Sequence, residues 1–477
     1  MRQTNKREPL DTALRGESAL HSSFRDPDGY VFSYNGEIFR CVNPSYELAY
    51  KQLMSSGLYT HLTDTGALVS HEEVSLSSSH PLFSEGKRIL RPMQLPFINY
   101  PYEWSFGQLQ EAAILTLDVL AASLEHGMIL KDASAFNVSW HEGKAIFFDT
   151  LSFSLYEDGS PWAGYRQFCS HFLAPLALMS YIDLRMQKLF LTNIDGIPLD
   201  LTTKLLPWIT RFKPSLSIHL HMHSYLQKKK AATRDKLQVS LKKKSLYNLI
   251  ESLRDCVTDL KFPKVRTEWG DYYSNTNYTV EQARNKKSVI MAWLEKVRPS
   301  RVADLGSNDG TYSILAARSS ELVVAMDVDP VAVQANYVMC KDQKQTHVTP
   351  LVNDLTAPSP AIGWHCRERS SIFERLRPDL GMALALVHHL SISNNVPFSN
   401  IFSMFADMAP TWIIEFVDKK DTQVQRLLTN RPDIFHEYTQ SMFEEQAKVQ
   451  FSIEQRHHIE GTQRTLYLLK LKGALDE

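Results

Sequence analysis

The stretch that most constrains the fold begins at Arg301, where the chain reads RVADLGSNDGTYSILAARSS to Ser320 and continues as ELVVAMDVDPVAVQANYVMC. An apolar run ends in Asp304-Leu305, bends through Gly306 to Gly310 and leaves as a helix. A second apolar run, LVVAMD, ends at Asp327, after which Asp329 and Pro330 suit the cap and first position of another helix. Apolar runs of strand length alternating with helical segments require a parallel sheet covered on both faces. Glycines at the bend let the backbone turn tightly and approach a ligand closely.

The acids select among ligands. A carboxylate at the end of the second strand suits the two hydroxyls of a ribose. A dinucleotide fingerprint needs G-x-G-x-x-G to seat a pyrophosphate, whereas here the glycines stand four apart and Asp304 faces the same turn. That carboxylate repels a phosphate and attracts a cation, such as the ammonium and sulfonium end of S-adenosylmethionine.

In these residues the chain resembles the class I S-adenosylmethionine-dependent methyltransferases, whose first motif reads acid, apolar, Gly, three residues, Gly. The resemblance covers about residues 266–477. It implies an α/β fold with a Rossmann-like, seven-stranded, mostly parallel sheet, and S-adenosyl-L-methionine as cofactor. Position by position it implies that Asp304, Gly306 and Gly310 form the methionine-side loop, Ser307 and Asn308 add polar contacts, Asp327 holds the ribose and Asp354 lies near the adenine amine. The later runs follow the family order: Leu380-GMALALV as fourth strand, Thr411-WIIEFV as fifth, and FSIEQRHHI with RTLYLLKL as a closing antiparallel pair.

Methyl transfer from a sulfonium loses charge, so positioning and exclusion of water matter most and few catalytic side chains are needed. The acceptor must lose a proton, and the fourth strand is expected to end in His388-His389, where a neutral imidazole suits that task. Both remain candidates beside a purely structural role. Glu415 either lines the acceptor cleft or is an ordinary satisfied acid. Trp269, Tyr273 and Tyr278 are lid or core aromatics on equal terms.

The first half begins with a hairpin signal, YVFSY, Asn35-Gly36, EIFRCV. Helical spacing follows from Leu109 to Leu124 and again around residues 168–190. Lys131-DASAFNV and AIFFDT set Asp132, Asn137 and Asp149 in the order of a small-molecule kinase. No glycine-rich loop precedes them, and Arg40 stands where a phosphate-pairing Lys is wanted. An α+β domain is the expectation; the Asp-x4-Asn spacing either arises by chance or marks a degenerate kinase-like domain serving recognition, with phosphotransfer as a further alternative. Together FRDPDGYVF, KDASAFNV, DLGSNDGTYS and LVHHL look like a family of rhizobial host-specificity nodulation proteins, which implies a bacterial methyltransferase connected with symbiotic signalling.

The expected organisation is a loose tail over 1–20, an α+β domain over 21–215, a basic helical connector over 216–265 and the methyltransferase domain over 266–477. In the connector, eight Lys or Arg stand against one acid between Lys228 and Lys244. A solvated helix accounts for them; RNA, a phosphate or an acidic partner is the sharper alternative.

Composition excludes other classes. With 43% hydrophobic residues and 52 Lys+Arg against 53 Asp+Glu, the chain is globular and carries no global field for nucleic acid. Five scattered cysteines without C-x-x-C give no disulfide framework and no metal site. The longest apolar run, Phe172 to Ile182, falls short of the ~18 residues of a spanning helix, so a cytoplasmic protein is expected. The leading expectation is methyl transfer to a small-molecule or glycan-like acceptor. A non-catalytic binding protein that joins a kinase-like domain to a cofactor-binding domain is the alternative.

Overall fold

A computed structural model describes residues 19–74, 86–225, 242–265, 267, 278–429 and 432–473. In the first half, β1 (Gly29–Tyr34) and β2 (Glu37–Val42) form the expected hairpin, with Asn35 and Gly36 both at positive φ. That turn matches the twist of the paired strands. β3 (His71–Glu73) and β4 (Arg88–Pro92) complete an antiparallel sheet of order β1-β2-β4-β3. The helix Phe106–Glu125 starts three residues before Leu109 because Ser105 and Gln108 form a capping box. β5 (Met128–Leu130) pairs with β8 (Phe153–Leu155), and β6 (Val138–His141) with β7 (Lys144–Phe147).

The helical expectation around 168–190 holds in broken form. A wide π turn over Cys169–Leu173 joins the helix Ala174–Tyr181, and a 3₁₀ stretch covers Leu184–Leu191. Pro175, without an N–H, cannot close the ordinary helical bond to residue 171.

The second half is built on one seven-stranded sheet. Its strands are β9 (Arg301–Leu305), β10 (Leu322–Asp327), β11 (Val348–Val352), β12 (Leu380–Ala383), β13 (Thr411–Val417), β14 (Phe451–His458) and β15 (Arg464–Leu471). The order is β11-β10-β9-β12-β13-β15-β14, and only β15 runs against its neighbours. Every residue of β10, β11 and β12 is buried, and these strands read as largely apolar runs. One face packs on Ile290, Trp293 and Leu294 of the helix Val280–Val297. The other packs on Ile401, Phe402 and Phe405 of the helix Phe398–Met408.

The two halves share a hydrophobic core that runs from the helix Phe106–Glu125 through the helix Lys243–Asp259 to β9, β10 and β13. Polar links pin the junction. Arg375, on the helix Ile372–Arg375, pairs with the fully buried Glu103 and donates to the Ile98 carbonyl at 2.6 Å. Lys341 and Tyr337 of the helix Pro330–Asp342 both reach Glu111, at 2.9 and 2.8 Å. Gly107 donates its N–H to Gln334 at 2.8 Å, and a Cβ built there would lie 2.4 Å from the Tyr337 ring.

Candidate functional site

The bend after β9 is held from both sides. Gly306 and Ser307 each donate their N–H to the Met326 carbonyl of β10, at 2.8 and 3.0 Å. Asn308 follows at φ +50, and Gly310, at φ +84, caps the short helix Thr311–Ala316. Gly310 has two reasons to be glycine: its left-handed backbone, and the Asn336 side chain 2.3 Å from where a Cβ would stand. The turn thus seats directly on the helix that follows Asp327.

Asp304 and Asp327 end adjacent strands and are both buried. Asp304 accepts from Ser313 Oγ at 2.6 Å. Burial pushes its carboxyl up to about 7; the Ser313 bond opposes the shift, and the nearby Asp327 adds to it. Asp327 accepts one backbone N–H on each oxygen, from Asn308 and from Asp329, both at 2.9 Å. Burial again dominates and raises it to about 6. No Lys or Arg among the described residues forms an ion pair with either acid.

Asp354 has different surroundings from this pair. It is only half-buried, and its Oδ1 closes a local turn by accepting from the Thr356 N–H and Oγ1 at 2.9 and 2.7 Å. The residue that adjoins Asp327 is its neighbour Asn353, which is buried and donates its N–H to the Asp327 carbonyl at 2.8 Å. Charge drew sequence reasoning to Asp354, and Asn353 was not weighed.

The fourth strand is shorter than its apolar run suggests. β12 stops at Ala383, Ala385 takes φ +52, and the chain turns into a short helical segment that carries His388 and His389. The two histidines therefore stand beyond a turn, not at a strand end as expected. Their ring centroids lie 4.0 Å apart. His388 is 1% exposed and its Nδ1 has no hydrogen-bond partner. Burial drives its pKa well below the usual imidazole range, aided by His389 and Arg464, and lowers His389 to about 4. Both rings are neutral at pH 7, and such weakly basic imidazoles accept hydrogen bonds more readily than they retain a proton.

Beside them lies a buried ionic cluster around Glu415, for which the sequence offered only a cleft-lining or an ordinary satisfied acid. Lys286 pairs with Glu415 at 2.7 Å, and Tyr278 donates to the same carboxylate. Arg464 donates to Asp421 at 2.9 Å, approaches Glu415 at 3.8 Å and lies over the Tyr278 ring at 4.7 Å. Burial opposes ionisation of Glu415, yet Lys286 and Arg464 hold its carboxyl below the ordinary value. One signal was present: Lys286 stands four residues before Ile290 and seven before Trp293, on the apolar stripe of its helix. Trp269 and Tyr273 lie outside the described residues, as does the basic run from Lys228 to Leu241.

In the first half Asp132, Asn137 and Asp149 are brought together. Asn137 Nδ2 donates to Ser152 Oγ at 3.2 Å, Ser152 Oγ donates to Asp149, and Asp132 feels the Asp149 charge. Arg40, however, clamps Asp149 at 2.6 Å, and Lys131 pairs with Asp28 at 2.5 Å. The β1–β2 connection is a two-residue turn rather than a glycine-rich loop.

No family model matches the chain. Among solved structures it is similar to the magnesium protoporphyrin IX methyltransferase ChlM from Synechocystis PCC 6803 with bound SAH, at 15% identity and TM-score 0.32 over 43% of this chain and 92% of that one. It is also similar to the N-methyltransferase NodS from Bradyrhizobium japonicum WM9, at 13% identity and TM-score 0.30 over 40% and 97%. Nodulation protein NoeA of Rhizobium meliloti (strain 1021) is 33% identical over 453 residues, which span 93% of this chain and 94% of that protein. With a third of its residues identical along nearly its whole length, the chain belongs to the NoeA family of nodulation proteins.

Proposed function

We propose that the second half is an S-adenosylmethionine-dependent methyltransferase acting on a small-molecule or glycan-like acceptor, in a process connected with nodulation. The observation that carries this reading is the pair Asp304 and Asp327, two buried carboxylates on adjacent strands with hydroxyl and backbone partners but, among the described residues, no Lys or Arg in ion-pair contact, since Lys286, whose charge acts on Asp304, is paired with Glu415. Buried carboxylates are ordinarily paired, so a cationic ligand rich in hydroxyls supplies what these lack. Ser307 Oγ, Asn336 Nδ2 and His388 Nδ1, all buried without hydrogen-bond partners, support a ligand at this end of the sheet.

When bound, the cofactor supplies a methyl group on a cationic sulfur. Asp304 would hold the cationic end, with Ser307 and Asn308 beside it. Asp327 has lone pairs left for the ribose hydroxyls, and Asn353, which adjoins it, takes the adenine side in preference to Asp354. His388 accepts a hydrogen bond from the acceptor hydroxyl or amine and orients it, with His389 behind it. The Lys286–Glu415–Arg464 cluster fixes the wall of the acceptor side. Most of the catalytic gain then comes from alignment and dryness.

Equilibrium binding of S-adenosylhomocysteine to the full chain and to Asp327→Ala tests the assignment. Loss of two hydrogen bonds to a carboxylate predicts about 100-fold weaker binding; equal affinity would count decisively against the ribose role. Labelled methyl transfer to a cell extract is expected to mark a small-molecule fraction.

A second reading has its own support. The Arg40 guanidinium sits on Asp149, the acid a phosphotransferase needs for its metal, which favours a kinase-like first half that recognises without transferring phosphate. Cofactor binding with no labelled product in any extract would extend that reading to the whole chain.

A further inference from the structure

Away from both clusters, the segment from Leu199 to Tyr225 has an inverted pattern. Trp208, Ile209, Phe212, Ile218, Met222 and Tyr225 are exposed, Trp208 and Phe212 each at 71% and Tyr225 at 66%. Thr210, Leu216, His219 and Leu220 point inward and are buried. The polar groups serve as fasteners. Thr210 Oγ1 meets His221 Nε2 at 2.9 Å, His219 Nε2 meets Ser252 Oγ of the helix Lys243–Asp259 at 2.9 Å, and Tyr165 meets His219 Nδ1 at 2.8 Å. Ile218, Met222 and Tyr225 are displayed from the helical stretch that includes the π turn Ser217–Met222. Trp208 and Phe212 pack edge to face at 5.5 Å in the 3₁₀ turn Trp208–Phe212. The apolar side chains are therefore displayed on a fastened platform. A contiguous exposed patch of this kind marks an interaction surface.

The surrounding charge identifies the partner. Lys204, Arg211 and Lys213 are exposed among these side chains, while Asp200, 3.9 Å from Lys204, is the one acid between Leu199 and Tyr225. Lys242, Lys243 and Lys244 open the helix on which the platform rests. After Tyr225 the sequence runs straight into further lysines at 228–230, in a chain whose net charge is only -1. Trp and Tyr with flanking Lys and Arg are the side chains that settle at the boundary between acyl chains and anionic headgroups. A second copy of the chain fits poorly, because a two-fold contact would bring together two copies of the same predominantly basic surface. No helix among the described residues is long and apolar enough to cross a membrane.

We propose that the platform from Trp208 to Tyr225 docks the protein on an anionic phospholipid bilayer, with Trp208 and Phe212 inserted at the interface and Lys204, Arg211 and Lys213 on the headgroups. This surface is separate from the cofactor reading and stands whether or not that reading does.

Co-sedimentation of the full chain with phosphatidylglycerol–phosphatidylcholine vesicles, against pure phosphatidylcholine, tests it. The expected result is binding to the anionic vesicles only, weakened about tenfold or more in Trp208→Ala/Phe212→Ala and similarly in Arg211→Glu/Lys213→Glu. Ile218→Gln/Met222→Gln provides a second apolar variant, and far-UV circular dichroism checks that each variant is folded. Failure of the native chain to bind overturns the proposal. So does full binding by the folded apolar variants, which would assign the affinity to the basic run alone. A dimer in sedimentation velocity that Trp208→Ala/Phe212→Ala dissolves, without vesicle binding, would assign the patch to self-contact instead.

Discussion

The chain holds two sets of acids at the ends of short strands, and they are treated in opposite ways. Asp149 in the first half is neutralised from within: Arg40 sits on it at 2.6 Å and Ser152 adds a hydroxyl. Asp304 in the second half has a hydroxyl and no guanidinium, and burial leaves its carboxyl near 7. A carboxylate satisfied by the protein has little left for a ligand. One left buried without an ion-pair partner gains most when a cation arrives. The contrast shows that an acid at a strand end is an incomplete signal, and that its partner decides what it can do.

The contrast can be broken or sharpened experimentally. The largest effect is expected at the junction that holds both clusters in one body. Arg375→Ala strands the fully buried Glu103 and should lower stability by about 3–5 kcal/mol in urea unfolding. A loss below 1 kcal/mol would mean that the halves are not coupled through this pair. Next is the affinity test: Asp149→Ala should leave S-adenosylhomocysteine binding within about twofold, against the large loss expected of Asp327→Ala. Comparable losses in both variants would erase the distinction between the two sets of acids.

A smaller effect is expected at Arg40. Removing it with Arg40→Ala should destabilise the chain by about 2 kcal/mol, since a largely buried charge-assisted bond is lost, and should leave cofactor affinity unchanged. A stability change without the native pair's presence mattering, seen as an equal loss in the Asp149→Ala background, would show that the ion pair is not the cause.

The smallest effect is a pH slope. Asp304 and Asp327 are raised above their unfolded values, so the folded state binds their protons more tightly, and the stability this adds is complete below pH about 4. It is lost as pH rises through about 6 to 7. The melting temperature of the ligand-free chain should therefore fall by a few degrees across that window, and Asp304→Asn should flatten part of the fall. Identical slopes for the two proteins would remove Asp304 from the account. Cationic cofactor should show the opposite trend, binding more tightly as Asp304 ionises.

Much of the second half was legible because parallel strands buried on both faces must be apolar throughout, and strand ends then stand out as acids. Asp304, Gly310 and Asp327 follow from that logic. The end of β12 did not, since Leu384 to Val387 are as apolar as the strand and only the left-handed Ala385 shows where it stops. The Lys286–Glu415–Arg464 cluster joins residues 129 and 49 positions apart, beyond the reach of local spacing, although a lysine on an apolar stripe was a clue. The platform at 208–225 was unreadable for the converse reason. Its tryptophan and phenylalanine have the composition of a core, and only the fold reveals that they face outward.

Gly107 carries a consequence for engineering. The helix that opens the first half's core meets the helix behind Asp327 where this residue has no side chain, with the Tyr337 ring in the space a Cβ would take. Alanine, then valine, at this one place would act as shims of increasing thickness, prising the two helices apart in calibrated steps and reading out how far each cluster tolerates displacement of the other.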